Sequence, residues 1–189
     1  LKGKKVFITG ATGGIGQSIA VNMAKNGCHL FLTGTNQREL EKLKNELSST
    51  NVNIEYAVAN FINISDIYSI VNLAKSSLQT FDIVINSAGI FPNLSLFESK
   101  DDDYKNVMDI NLRSAFIFTR EFAQGMVERK WGRVVNIGSS SAYNGFGNTS
   151  LYCASKHALL GFSKSINEEL KQYNVRTYCI SPSSTKSKM

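Results

Sequence analysis

The chain has 189 residues, 21 lysines and arginines against 15 acids, and a formal net charge of +6; 42% of it is hydrophobic and 19% charged. This composition supports one domain with a sizeable core and excludes a disordered or low-complexity chain. The basic residues are scattered rather than gathered into a stripe, which argues against a nucleic-acid surface, and no apolar run reaches membrane-spanning length.

The three cysteines, Cys28, Cys153 and Cys179, are odd in number and lack metal-ligand spacing. They read as reduced thiols of a cytoplasmic protein without a metal site. Lys4-Lys5 is followed by too short an apolar run for a signal-peptide core.

Residues 5–9 form the first predicted strand, and they run directly into Gly10-Ala11-Thr12-Gly13-Gly14-Ile15-Gly16. A helical pattern through Ile19, Ala20, Met23 and Ala24 follows and ends at Asn26-Gly27. Strand, glycine turn and helix make a phosphate cradle, because glycines let the backbone approach a pyrophosphate at the helix N-terminus. Residues 29–33 are the second strand, 37–47 a helix, 52–58 the third strand, and 65–78 a helix with Ser65 or Asp66 near its cap. The fourth strand, 82–85, closes in Asn86-Ser87-Ala88-Gly89. Strands alternating with helices of this length imply parallel βαβ units with helices on both faces of one sheet.

Ser99-Lys100-Asp101-Asp102 reads as a capping box that opens one long helix over 101–129. Asn111 falls inside its apolar stripe of Tyr104, Val107, Met108, Ala115 and Phe122. A buried amide needs partners, so Asn111 is either a structural bridge or part of a polar site. Residues 134–137 form the fifth strand, 150–173 a helix, and 175–180 the sixth strand.

On the helix over 150–173, Tyr152 and Lys156 stand at i and i+4, one above the other on one face. A free tyrosine has a pKa of about 10, and an ammonium one turn away favours the phenolate, making the pair a usable proton donor and acceptor. Ser139, just past the fifth strand, offers a hydroxyl to steady a carbonyl oxygen. Alone, Y-x-x-x-K is an ordinary amphipathic pattern; a cofactor site beside it is what gives it meaning.

Thr9-Gly10-xxx-Gly14-x-Gly16, Asn86-Ser87-Ala88-Gly89, Asn111, Ser139, Tyr152 and Lys156 match the classical short-chain dehydrogenases/reductases in type, order and spacing. The chain resembles that family from its first strand to its last residues. Gly10, Gly13 and Gly16 also fit the extended, epimerase-like branch, but the spacing of Ser139 to Tyr152 favours the classical one. The resemblance implies a Rossmann-like, doubly wound α/β fold in three layers. It implies that Tyr152 exchanges a proton with the substrate oxygen and that Lys156 lowers the Tyr152 pKa and holds the nicotinamide ribose. Ser139 would polarise the carbonyl, and Asn111 would hold a water in a proton relay. The implied cofactor contacts are Gly10, Thr12, Gly14, Ile15, Gly16, Thr35, Arg38, Asn60, Asn86, Ala88, Gly89 and Pro182, with Tyr152 and Lys156. The departures are Ser87 for a second Asn, Asn60 for a carboxylate at adenine, and Pro182-Ser183 for Pro-Gly. Family members continue into a lid and a seventh strand, and the expectation is that this sequence is part of a longer protein.

The end of the second strand should select the cofactor. An enzyme reading NAD places an acid there to bond the ribose 2′-hydroxyl. Thr33-Gly34-Thr35-Asn36-Gln37-Arg38 contains none, which admits a 2′-phosphate; Arg38 reads equally as its partner or as a solvated first-turn residue. The expected cofactor is NADP(H), with NAD(H) the alternative.

In wording the chain is similar to 3-oxoacyl-(acyl-carrier-protein) reductases, with Lys130 at one carrier-docking position and Tyr173 at another. A reductase of free small alcohols and ketones is the second reading, and a non-catalytic nucleotide sensor or scaffold is a third of a different class. Surplus apolar residues on the two long helices, with Phe118 and Phe162 as the outward candidates, lead to an expected homodimer or homotetramer.

Overall fold

The computed structural model describes residues 1–183. Six parallel strands, β1 (Lys5–Thr9), β2 (His29–Gly34), β3 (Ile54–Val58), β4 (Ile83–Asn86), β5 (Gly132–Ile137) and β6 (Val175–Ile180), form one sheet in the order β3-β2-β1-β4-β5-β6. The helices α1 (Gly14–Lys25), α2 (Gln37–Glu46), α3 (Ile64–Leu78), α4 (Asp101–Met108), α5 (Ser114–Glu128) and α6 (Ser150–Leu170) connect the strands. The strand order reverses between β1 and β4, and in such sheets the crevice at the carboxyl ends of the two diverging strands is where a ligand fits.

Both faces of the sheet are packed, as strands of near-continuous apolar residues require. Val6, Ile8, Leu30, Leu32, Ile83 and Ile85 meet α1 and α2 on one face. Phe7, Phe31, Val84 and Val134 meet α3 and α5 on the other. There Phe7 lies 4.8 Å from both Phe118 and Phe122, ring centroid to centroid. The chain is the Rossmann-like, doubly wound three-layer fold that the resemblance implies.

The boundaries shift where side chains decide them. The expected capping box moves by one residue: Lys100 is the N-cap, its N–H donates to Asp103 at 3.0 Å, and Ser99 donates instead to the Ser95 carbonyl at 2.9 Å. Tyr104 is exposed rather than part of the buried stripe. The helix cap before α3 is Asn63, and Asp66 accepts from the Asn60 N–H at 3.2 Å. The single helix expected over 101–129 is broken by a π-turn, Asp109–Arg113, and the last helix ends at Leu170 before a 3₁₀ turn, Lys171–Tyr173.

Phe118 is not an outward residue. It is fully buried and packs edge-on to Phe61 at 5.2 Å, while Phe116 is the exposed member of the run, edge-on to Phe162 at 6.1 Å. Phe118→Ala should therefore cost about 3–5 kcal/mol of stability, and Phe116→Ala well under about 1 kcal/mol. Urea denaturation of both variants checks this assignment.

Candidate active site

The carboxyl ends of β1, β4, β5 and β6 surround a cavity of about 770 Å³. Register makes this convergence inevitable: Thr9 lies opposite Asn86, Asn86 opposite Asn136, and Ile137 opposite Ile180. The turns that leave these strands start at one level and face one another.

On the β1 side the wall is the glycine turn, with Gly10, Thr12, Gly14, Ile15 and Gly16 at the cavity. Gly10 has φ +62°, and a Cβ there would stand 2.8 Å from the Ala88 Cα. A Cβ on Gly16 would lie 2.2 Å from the Gly10 carbonyl oxygen. Neither position tolerates a side chain, so the turn is held tight against both the β4 loop and α1. The N-cap of α1, Gly13, makes no side-chain cap, and its first turn carries no acid. First-turn N–H groups have no intrahelical partner, and here nothing from a capping side chain competes for them. That arrangement fits a pyrophosphate, so a dinucleotide suits the residues present.

Thr35 at the end of β2, Asn60 after β3, Ala88 and Gly89 after β4, and Pro182 after β6 also line the cavity. Two expected cofactor contacts do not. The Arg38 side chain belongs to an exposed residue in the first turn of α2 and does not line the cavity. Asn86 is buried against the opposite packing layer, donating to Asn136 Oδ1 at 2.8 Å and Thr119 Oγ1 at 3.2 Å. From there Asn136 donates to Ser163 of α6 at 2.8 Å, so Asn86 is a structural link between sheet and helices rather than a cavity residue. Period-2 alternation carries this information, since residue 86 shares the face of Val84.

Asn111 resolves its two readings through the π-turn. Its Oδ1 accepts from the Ile90 N–H at 2.8 Å, and its Nδ2 donates to the Ile90 carbonyl at 3.0 Å and to Ser155 Oγ at 3.0 Å. It clamps the loop directly after Gly89. A Cβ on Gly89 would lie 3.3 Å from Asn111 Oδ1 and 3.6 Å from Lys156 Nζ, so the absence of a side chain there keeps open the space beside both groups.

Ser139, Tyr152 and Lys156 line the same cavity. Ser139 Oγ accepts from the Ser141 N–H at 3.1 Å, which leaves its own O–H free to donate. Lys156 is almost fully buried and donates from Nζ to the Ile137 carbonyl at 2.8 Å. Burial pushes its amine down to about 8, against a smaller opposing pull from Cys179. Burial pushes the Tyr152 phenol above the ordinary tyrosine value; a hydrogen bond with Ser139 pulls it partly back, and Cys153 adds to the rise.

The phenol is raised by burial, and the expected lowering by Lys156 is not among the influences on it. Nζ is turned onto Ile137, stands 5.5 Å from the phenol ring centroid, and carries a charge that burial itself disfavours. Phe91, which sequence reasoning passed over, packs edge-on to Tyr152 at 4.7 Å, and Phe146 also lines the cavity. Lys130 occupies the turn before β5, at the end of the sheet away from the cavity.

The matching family is described as short chain dehydrogenase, and it covers residues 4–189. The chain belongs to the short-chain dehydrogenase family. It is thus an oxidoreductase of CH–OH groups, from a family that binds nicotinamide dinucleotides. A 3-oxoacyl-(acyl-carrier-protein) reductase of Rickettsia felis is 35% identical over 189 residues, all of this chain and 76% of that protein. A metagenomic short-chain oxidoreductase in complex with NADP superposes with a TM-score of 0.92 at 27% identity, covering 97% of this chain and 84% of that one. An NAD⁺-bound xylitol dehydrogenase gives 0.89 at 27% identity, covering 96% and 70%. Among the described residues no helix is long and apolar enough to cross a membrane, and no cluster of metal-ligating side chains occurs.

The depressed Lys156 amine has a consequence for stability. Between about 8 and the ordinary 10.5, the unfolded chain holds this proton and the folded chain does not. Relative to Lys156→Met, the wild type should gain stability as pH rises through that window and lose it again as pH falls through about 8. Paired urea titrations across the window check the sign; a pH-independent difference would show that the amine is not perturbed.

Proposed function

We propose that this chain is an NADP(H)-dependent reductase of a 3-oxoacyl carbonyl. The observation that carries the chemistry is the joint placement of Ser139, Tyr152 and Lys156 on one cavity with the glycine turn. When bound, the dinucleotide supplies the hydride. At neutral pH the raised Tyr152 phenol is protonated, the form that donates to a carbonyl oxygen as it gains electron density. The Ser139 O–H, which meets the Tyr152 phenol at the same place, would polarise the same oxygen. Lys156, held on the Ile137 carbonyl, retains N–H donors for ribose hydroxyls. Asn111 spends its amide on Ile90 and Ser155, so its part is to fix the loop after Gly89; any relay water must use its remaining acceptor capacity.

NADP(H) is favoured by the end of β2, where Gly34 and Thr35 line the cavity and no acid does. The apolar rings of Phe91 and Phe146 suit an acyl chain better than a polyol. The position of Lys130, away from the cavity, favours a second reading in which the substrate is a free small alcohol or ketone rather than a carrier-bound one. A two-fold contact through α5 and α6 would bury the exposed Phe116 and its neighbour Phe162, giving a homodimer or homotetramer.

Consumption of NADPH and NADH should be measured with carrier-linked and free 3-oxoacyl compounds and with polyols. The expected result is turnover with NADPH and 3-oxoacyl substrates, reduced roughly 10²–10⁴-fold in Tyr152→Phe while the cofactor dissociation constant stays near wild type. Near-normal turnover by that variant would remove Tyr152 as the proton donor, and preference for NADH would overturn the cofactor assignment.

A further inference from the structure

Arg113 closes the π-turn two residues after Asn111, and its side chain reaches the loop that follows β3. Its Nη1 pairs with Asp109 at 2.9 Å, and its Nη2 donates to the Ile62 carbonyl at 2.9 Å, across 51 residues of sequence. The Ile62 N–H in turn donates to Asn60 Oδ1 at 3.2 Å. Arg113 is thus one peptide unit away from the side chain that lines the cavity after β3. Asp109 is buried and also accepts from Lys105 at 2.9 Å, so its charge has a second partner. The Arg113 Nε is buried with no hydrogen-bond partner among the described residues. A surface arginine would turn that group to water; here the side chain is held in place at the expense of an unpaired donor.

The middle residue of the same π-turn, Asn111, clamps Ile90, next to Gly89 and the Lys156 Nζ. The five-residue turn Asp109–Arg113 therefore bonds to both the loop after β4 and the loop after β3, and its Ile110 lines the cavity. A π-turn is a local register change inserted in a helix, and such turns concentrate at functional sites because they re-aim side chains. Here it aims Asn111 at the β4 loop and Arg113 at the β3 loop.

We infer that Arg113 is a positioning residue that couples the loop of Asn60 to the loop of Ile90, so that a dinucleotide occupying one end of the cavity pre-orders the other. This rests on the dinucleotide reading of the cavity. Energetic coupling of this kind is shown by non-additivity between two sites, not by proximity. The test is a double-mutant cycle in cofactor affinity, measured by calorimetry with NADP⁺ and NAD⁺, on the wild type, Asn60→Ala, Arg113→Lys and the double variant. Lysine keeps a cation for Asp109 but lacks the fork that spans Asp109 and Ile62; Arg113→Met, with Lys105 still paired to Asp109, is the second variant.

Each single substitution is expected to weaken binding roughly 5–10-fold, and the double variant no more than about 10-fold, because both cut one link. A double variant weakened by the product of the two single effects, or unchanged affinity in both Arg113 variants, would overturn the coupling. A wild type that binds neither dinucleotide would remove the cofactor reading itself, and the coupling with it.

Discussion

The hydroxyl of Thr9 holds the two halves of the site together. Its Oγ accepts from the backbone N–H groups of Ser87 and Ala88, each at 3.0 Å. Thr9 is the last residue of β1, and those amides are the first beyond β4, so one side chain ties the glycine turn to the loop at the opposite wall. The close approach of Gly10 to Ala88 depends on this tie, as does the place of Gly89 between Asn111 and Lys156. A second tie closes the far side: Gly138 donates to the Ile180 carbonyl at 2.7 Å and Ser140 to the Pro182 carbonyl at 3.1 Å, fixing the Ser139 loop to β6. The cavity is built from loops, yet each loop is anchored within a residue or two of a strand end.

Burial then sets the direction in which the two titrating groups shift. Tyr152 and Lys156 lie one helical turn apart, and the same dry environment moves them in opposite directions, the phenol up and the amine down. Both shifts disfavour the charged form, as removal from water must. The result at neutral pH is a neutral acid beside a cation that can lose its proton with modest effort. This differs from a phenolate stabilised by its neighbour.

What the sequence made legible had a local signature. The strand, glycine turn and helix at the start of the chain were readable because glycine and periodicity act within a dozen residues. The Tyr152/Lys156 face was readable because i and i+4 always stack on a helix. The π-turn was not, since one extra residue in a helical turn leaves the apolar pattern nearly intact; only the polar Asn111 within the stripe hinted at it. Phe118 was misplaced for the same reason: a register shift of one residue upstream rotates every later side chain by about 100°. Asn86 and Arg38 were assigned to the cavity through family resemblance, while alternation along β4 and the exposed first turn of α2 send both elsewhere. The Phe91 contact with Tyr152 brings together residues far apart in sequence, which no local pattern encodes.

Thr9→Val tests the account most directly, because it keeps the shape of the side chain and deletes only the acceptor. Two amides then lose their partner, at about 1–3 kcal/mol each when buried. Calorimetric titration of this variant with the preferred dinucleotide should show affinity reduced by at least about tenfold, with the fold retained by circular dichroism. Wild-type affinity in a folded Thr9→Val protein would contradict the claim that this one hydroxyl holds the cradle and the catalytic wall in register.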